Sequence, residues 1–240
     1  MTTAAFWKRL PALLLCVALL CLPVQAAGDE KLVAMTFDDG PSGRFTRRLL
    51  EGLEARGAKA TFLLCGYRIE QYPELTEQIF RQGHEIGLHG YSHSSMKTMC
   101  QRDVILEIQK TMALIPEGCG VRFLRPPGGL CGEYVQTAAA DQELAVLSWS
   151  VDPKDWAIDD AKTIQMEVIR HVRDGDVILL HDMSDSSVEA ALAIVDELQE
   201  QGYRFVTASE LAQARGITPV PGRIYTRFYP ADSGTEQELK

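Results

Sequence analysis

Apolar positions along the chain alternate between short continuous runs and spaced, helix-like faces. Residues 32–37 form an apolar run that breaks at Asp38-Asp39-Gly40-Pro41, the signature of a buried strand entering a turn. Phe45, Leu49, Leu50 and Leu53 then recur at helical spacing until Gly57 stops the pattern. The same alternation continues to residue 215. Strands are predicted at 60–64, 85–88, 121–124, 145–150, 177–180 and 204–206. Helices are predicted at 73–81, 103–115 and 133–141, on the Ile164/Val168/Ile169/Val172 face, on the Val188/Ala191/Leu192/Val195/Leu198 face, and at 209–215. About seven strand–helix units in succession imply a parallel sheet with right-handed crossovers, either a closed barrel or a large open sheet. The chemistry then belongs at the C-terminal ends of the strands.

The two ends of the chain read differently. Residues 1–26 have the form of a secretory signal: Lys8 and Arg9, an apolar stretch from Leu10 to Leu20, then Val24-Gln25-Ala26 with small residues at the cleavage positions. Residues 27–216 form the single folded domain. Residues 217–240 mix Pro, Gly and charge without a period and are expected to be a flexible tail. A secreted or cell-envelope location follows, with no membrane association once the signal is removed. Cys65, Cys100, Cys119 and Cys131 remain after that removal; an even number outside the cytosol permits two disulfides, and the short loop between Cys119 and Cys131 favours that pair. The net charge of −9 argues against nucleic acid as a partner, because phosphate binding needs a basic surface.

Polar residues with chemical potential cluster at the predicted strand ends. Asp38 and Asp39 follow the first strand, His89 and His93 the third, Arg125 the fourth, Asp152 and Asp155 the fifth, and His181 and Asp182 the sixth. A parallel sheet brings all of them to one rim. Two imidazoles four residues apart, with one carboxylate from the acidic pair, make a three-ligand site with an open position, and the second carboxylate stays free as a base. Arg125 is placed to hold a carboxylate through a two-pronged hydrogen bond. His181 is placed as a general acid whose pKa a nearby carboxylate raises. Trp149 is expected in the core, and His84 and His171 carry no role. No G-x-S-x-G elbow and no phosphate loop is present, which removes serine hydrolases and nucleotide enzymes from consideration.

These residues resemble the polysaccharide deacetylases that share the NodB homology domain, carbohydrate esterase family 4, over residues 31–214. Five motifs stand in the family's order: Thr36-Phe-Asp-Asp-Gly-Pro41, His89-Gly-Tyr-Ser-His93, Arg125-Pro-Pro-Gly-Gly129, Asp152-Pro-Lys-Asp-Trp156 and Leu179-Leu-His181. The resemblance implies a distorted (β/α)7 barrel in one domain. It implies Asp38 as catalytic base, Asp39, His89 and His93 as metal ligands, Arg125 positioning the base, His181 as acid and Asp155 tuning it. Pro127, Gly128, Trp156 and Leu179 are the implied substrate contacts, with Leu179 lining the acetyl pocket and the Gly128 N–H serving the oxyanion. The implied reaction is metal-dependent removal of N-acetyl groups from amino sugars of a cell-wall polysaccharide, peptidoglycan first and chitin-type oligomers second. A His₂Asp ligand set suits Zn²⁺, and Co²⁺ or Ni²⁺ fits the same donors. Two positions depart from the family pattern: Gly90 replaces a Ser or Thr, which removes a loop hydrogen bond, and Gly128 replaces an aromatic groove wall. Two other readings share these residues: a wall-binding protein on the same fold without catalysis, and a metal hydrolase of a non-sugar amide or an O-acetyl ester.

Overall fold

The computed structural model describes residues 30–229. The expected signal segment and residues 230–240 lie outside them. β1 (Lys31–Asp38) is central: β6 (Val177–His181) pairs with its second half on one side, β2 (Thr61–Leu64) pairs with its C-terminal end on the other, and β7 (Tyr203–Val206) pairs with its first half. β3 (Glu85–Leu88), β4 (Phe123–Leu124) and β5 (Ala145–Leu147) continue from β2, all parallel. The circuit closes where Val151, just past β5, forms a bridge with Ile178 of β6. The result is a distorted (β/α)7 barrel.

Strand alternation sorts β1 into two faces. Val33, Met35 and Phe37 point outward into the main core cluster, where Leu49, Leu50 and Leu53 of α1 (Arg44–Ala55) and Val188, Ala191, Ile194 and Val195 of α7 (Asp185–Glu200) meet them. Leu32 and Ala34 point inward with Leu63, Phe123, Leu147 and Val177, in a second cluster completed by Ala208, Leu211 and Ala212 of α8 (Ala208–Ala214). The inner face turns polar at its top: Thr36 and Asp38 continue the Leu32/Ala34 face and are both buried. A third cluster lies under α4 (Gln101–Met112) and α5 (Glu133–Asp141), built on Val104, Ile108, Val135 and Ala138.

The remaining helices are α2 (Gly66–Gln71), α3 (Pro73–Arg81) and α6 (Ala161–His171). Side-chain caps start several helices: Asp160 accepts from the Thr163 N–H for α6, Ser184 from the Ser187 N–H for α7, and Thr207 forms a capping box with Glu210 for α8.

Three expectations need correction. The flexible tail does not begin at residue 217. Ile224–Tyr225 forms β8, paired with β5, and Phe228 is fully buried against Tyr225 and Phe123. The physical reason is the split in the barrel: β5 leaves its neighbour β6 unpaired along Val146–Leu147, and the chain returns to cover that edge. The Cys119–Cys131 bridge is not formed, and Cys65, Cys100, Cys119 and Cys131 are all free. Cys119 packs on the main cluster and Cys131 on the cluster under α4 and α5. Trp149 packs on the second cluster but is only partly buried rather than enclosed; its ring lies against Gly129 and 5.5 Å from the Arg125 guanidinium.

Candidate active site

Asp38 and Asp39 end β1, and their consecutive positions send them to different tasks. Asp38 faces inward and is 3 % exposed. Arg125 Nη1 donates to its Oδ1 at 2.6 Å and to Thr36 Oγ1 at 2.8 Å. The other guanidinium donors reach Leu147 O and Ser148 O, both at 2.9 Å. Arg125 is thereby completely buried with its charge paired and four of its five N–H groups bonded. It ties the ends of β1, β4 and β5 together behind the Asp38 carboxylate.

Asp39 adopts a left-handed backbone, φ 71°, which turns its side chain away from Asp38. Its Oδ1 lies 3.3 Å from His89 Nε2 and 3.0 Å from His93 Nε2. The three donor atoms all lie within 4.8 Å of one another. Two observations test whether this group suits a metal ion. Asp39 Oδ1 is buried, yet no donor is aligned on it as a hydrogen bond. His89 Nδ1 sits 2.8 Å from Arg125 O, so that nitrogen carries the proton and the Nε2 lone pair faces Asp39. Both fit a divalent cation held by one carboxylate and two neutral imidazoles. Burial raises the Asp39 pKa, but the two imidazoles outweigh it and hold the carboxyl well below the usual range. Asp39 in turn raises His93 against the cost of its partial burial.

His181 ends β6 and is the register partner of Asp38 across the β1–β6 ladder. Its Nδ1 lies 2.8 Å from Asp155 Oδ1, and its backbone N–H donates to Asp155 Oδ2 at 2.8 Å. One carboxylate thus fixes both ring and backbone. Burial favours the neutral ring, but the Asp155 hydrogen bond and the charges of Asp155, Asp38 and Asp39 outweigh it and raise the pKa to about 9. Of the two aspartates in this loop, Asp155 reaches His181, while Asp152 caps its own turn by accepting from the Lys154 N–H.

The expected substrate contacts are placed in several ways. Leu179 is buried on β6, two residues before His181 and on the same face. Pro127 is buried, and Gly128 has φ 68° with open space where its Cβ would stand. Trp156 is two-thirds exposed beside Asp155. His84 lies away from the cluster, accepting the Ala60 N–H, with burial pushing its pKa down to about 4.

Asp182 is a participant that the pattern of apolar and polar positions left without a role. It is fully buried beneath the Gly40–Ser42 turn: Thr46 Oγ1 donates to its carboxylate and Ser42 Oγ to its backbone oxygen. Burial pushes its pKa up to about 6, with the Thr46 bond opposing. A Cβ at position 40 would stand 2.7 Å from Asp182 Oδ1, so only glycine fits there. The signal was present in the sequence as an acid directly after His181, but nothing in it showed what the carboxylate supports.

The polysaccharide deacetylase family model matches residues 25–147. That match takes in the first three motifs and stops before Asp155 and His181. Over 196 residues the chain is 37% identical to a peptidoglycan-N-acetylglucosamine deacetylase of Bacillus cereus, covering 78% of this chain and 91% of the relative. It is 33% identical to the peptidoglycan-N-acetylmuramic acid deacetylase PdaC of Bacillus subtilis, covering 78% of this chain but only 40% of that longer protein. Among solved structures, a family 4 acetyl xylan esterase from Clostridium thermocellum in complex with a cobalt ion superimposes with a TM-score of 0.77 at 33% identity, over 82% of this chain and 98% of that one. With the barrel, the Asp39/His89/His93 group and these likenesses together, the chain belongs to the polysaccharide deacetylase family.

Proposed function

We propose that the protein is a secreted, zinc-dependent enzyme that removes N-acetyl groups from amino sugars of peptidoglycan, with chitin-type oligomers as second substrate class. The observation that carries this reading is the opposition of Asp38 and His181 across the β1–β6 ladder, with the Asp39/His89/His93 group beside them. An amide hydrolase needs one group to take a proton from water and another to give one to the leaving amine. Similarity to two peptidoglycan deacetylases supports the substrate class. A location outside the cytoplasm rests on residues 1–26; among the described residues, no helix is long and apolar enough to cross a membrane.

Asp39, His89 and His93 would hold the ion. A divalent cation there supplies Lewis-acid polarisation of the acetyl carbonyl and lowers the pKa of the attacking water. Asp38 accepts that water's proton, and Arg125 keeps the accepting oxygen fixed. The Gly128 N–H donates to the developing oxyanion, a contribution of roughly 3 kcal/mol for a well-placed donor. His181 delivers a proton from Nε2 to the leaving nitrogen, while Asp155 holds Nδ1. Leu179 shapes the acetyl pocket and Trp156 offers a ring face to a sugar.

Acetate release from N-acetylglucosamine oligomers and peptidoglycan fragments tests this directly. Chelation is expected to abolish release and added zinc to restore it. Release unaffected by exhaustive chelation would overturn the metal role. A second reading, hydrolysis of an O-acetyl ester, is favoured by similarity to the acetyl xylan esterase; faster turnover of acetylated xylan than of any N-acetyl sugar would establish it.

The His181–Asp155 pair predicts a pH signature. Asp155 holds the His181 proton well above the usual imidazole range, to about 9, and an ion at Asp39 offsets part of that shift, so kcat/KM is expected to fall along an alkaline limb at or below that value. Asp155→Asn removes the carboxylate and leaves burial to favour the neutral ring. The alkaline limb then moves to lower pH, and activity at pH 8 drops by about 10²-fold. A bound ion adds positive charge and lowers both limbs, so wild type and variant are compared at equal metal loading. An unshifted limb in Asp155→Asn would remove His181 as the acid.

A further inference from the structure

We infer that Glu107, on α4, is the positioning residue that holds His93 in place for the metal ion. This inference rests on the metal reading above and adds to it a residue outside the five motifs. The two imidazoles of the site are fixed very differently. His89 directly follows β3, is 2 % exposed, and has its Nδ1 on Arg125 O. The barrel itself orients that ring. His93 lies four residues into an irregular loop, has φ 59°, and its side chain is 43 % exposed.

The loop between them is anchored at two edges. On the β2 side, Gly66 and Tyr67 donate their N–H groups to Gly90 O and Tyr91 O, both at 3.0 Å. On the other side, a single oxygen, Glu107 Oε2, accepts the Tyr91 N–H at 2.9 Å, the Ser92 N–H at 2.8 Å and the Ser92 hydroxyl at 2.9 Å. The Ser92 hydroxyl lies 2.9 Å from Ser94 Oγ and 3.3 Å from the Ser94 nitrogen, so the residues on both sides of His93 are tied to one carboxylate. Hydrogen bonds to an ionised acceptor are about twice as strong as neutral ones, and two consecutive N–H groups converging on an anion fix the backbone between them.

Gly90 makes the approach possible. A Cβ there would stand 2.8 Å from Met96 Cε and 3.3 Å from Glu107 Oε2, on a backbone with φ 78°. The loop support expected to be missing at position 90 is therefore supplied from α4, and the glycine leaves room for it.

The test is zinc affinity of the purified metal-free protein, by competition with a chelator of known affinity, for wild type, Glu107→Ala and Glu107→Gln, beside thermal melts of each. Glu107→Ala is expected to weaken zinc binding by about tenfold, as loss of supporting groups around a metal site does. Glu107→Gln, which keeps a neutral acceptor oxygen, falls in between. At saturating zinc the kcat of both returns to within about twofold of wild type, because the reacting groups are untouched. Wild-type zinc affinity in a folded Glu107→Ala protein overturns the role. Should Glu107→Ala fail to fold, wild-type affinity in Glu107→Gln overturns it equally. A wild type that binds no divalent ion overturns the metal reading and this role together, whereas wild-type binding unchanged by either variant overturns this role alone.

Discussion

Asp38→Asn is expected to lower kcat by about 10²–10⁴-fold, the range for losing a general base, while the protein still binds zinc. The substitution keeps the shape of the side chain and leaves Asp39, His89 and His93 as they are. Asn offers Arg125 Nη1 a neutral oxygen in place of the carboxylate at 2.6 Å, so the guanidinium stays buried with four neutral acceptors and no counter-charge. A moderate fall in melting temperature accompanies the loss of activity. Zinc titration and acetate release on the same preparation check the two halves separately. Activity within tenfold of wild type removes Asp38 from the mechanism; loss of zinc binding along with activity would place Asp38 among the ligands instead, where His89 Nε2 at 3.8 Å is its nearest contact of that kind.

Arg125→Met is expected to destabilise the fold by about 3–5 kcal/mol, the usual result of removing one partner of a buried ion pair. At this chain length that is roughly 10 °C in Tm. The effect has two sources. The Asp38 carboxylate is left buried without its cation, and the carbonyls of Leu147 and Ser148 lose their donors in the interior of the barrel. Activity falls as well, because nothing else directs the Asp38 oxygen. The double variant Asp38→Asn/Arg125→Met separates charge from packing. Without the uncompensated carboxylate, it should be more stable than the sum of the two single losses by about 1–3 kcal/mol, yet no more active than Asp38→Asn. Strict additivity in denaturant melts would show that the pair contributes no coupling energy.

The site was legible in the sequence to the extent that chemistry and strand ends coincide. Asp38, His89, Arg125 and His181 all stand at or just past a strand terminus, and a parallel barrel brings such positions to one rim. Helix α3 and strand β3 follow from local signals alone, with Pro73 opening the helix and Gly83 closing the turn before Glu85. Local signals failed where tertiary contact does the ordering. Helix α2 has six residues and no apolar period; its first N–H groups are held by the carbonyls of Gly90 and Tyr91. β8 is two residues long in a segment without periodicity, and exists because β5 offers a free edge. Glu107 reads as one more charged residue on an amphipathic helix until the loop carrying His93 is folded against it.

Hydrophobic periodicity and strand-end position are local properties of the chain, so they encode the order of elements, the parallel strand–helix class and the identity of the polar residues at the rim, while the closed barrel came from the family resemblance. The tertiary structure alone decided which aspartate meets which partner. Asp38 turns to Arg125 and Asp39 to the imidazoles because one follows the inward face of β1 and the other takes a left-handed backbone. Asp155 rather than Asp152 reaches His181 because the loop after β5 closes the barrel against β6 at Val151 and Ile178. Such pairings join residues far apart in sequence, 87 positions for Arg125 and Asp38. No local pattern encodes them; they appear only when the strands have taken their places around the barrel.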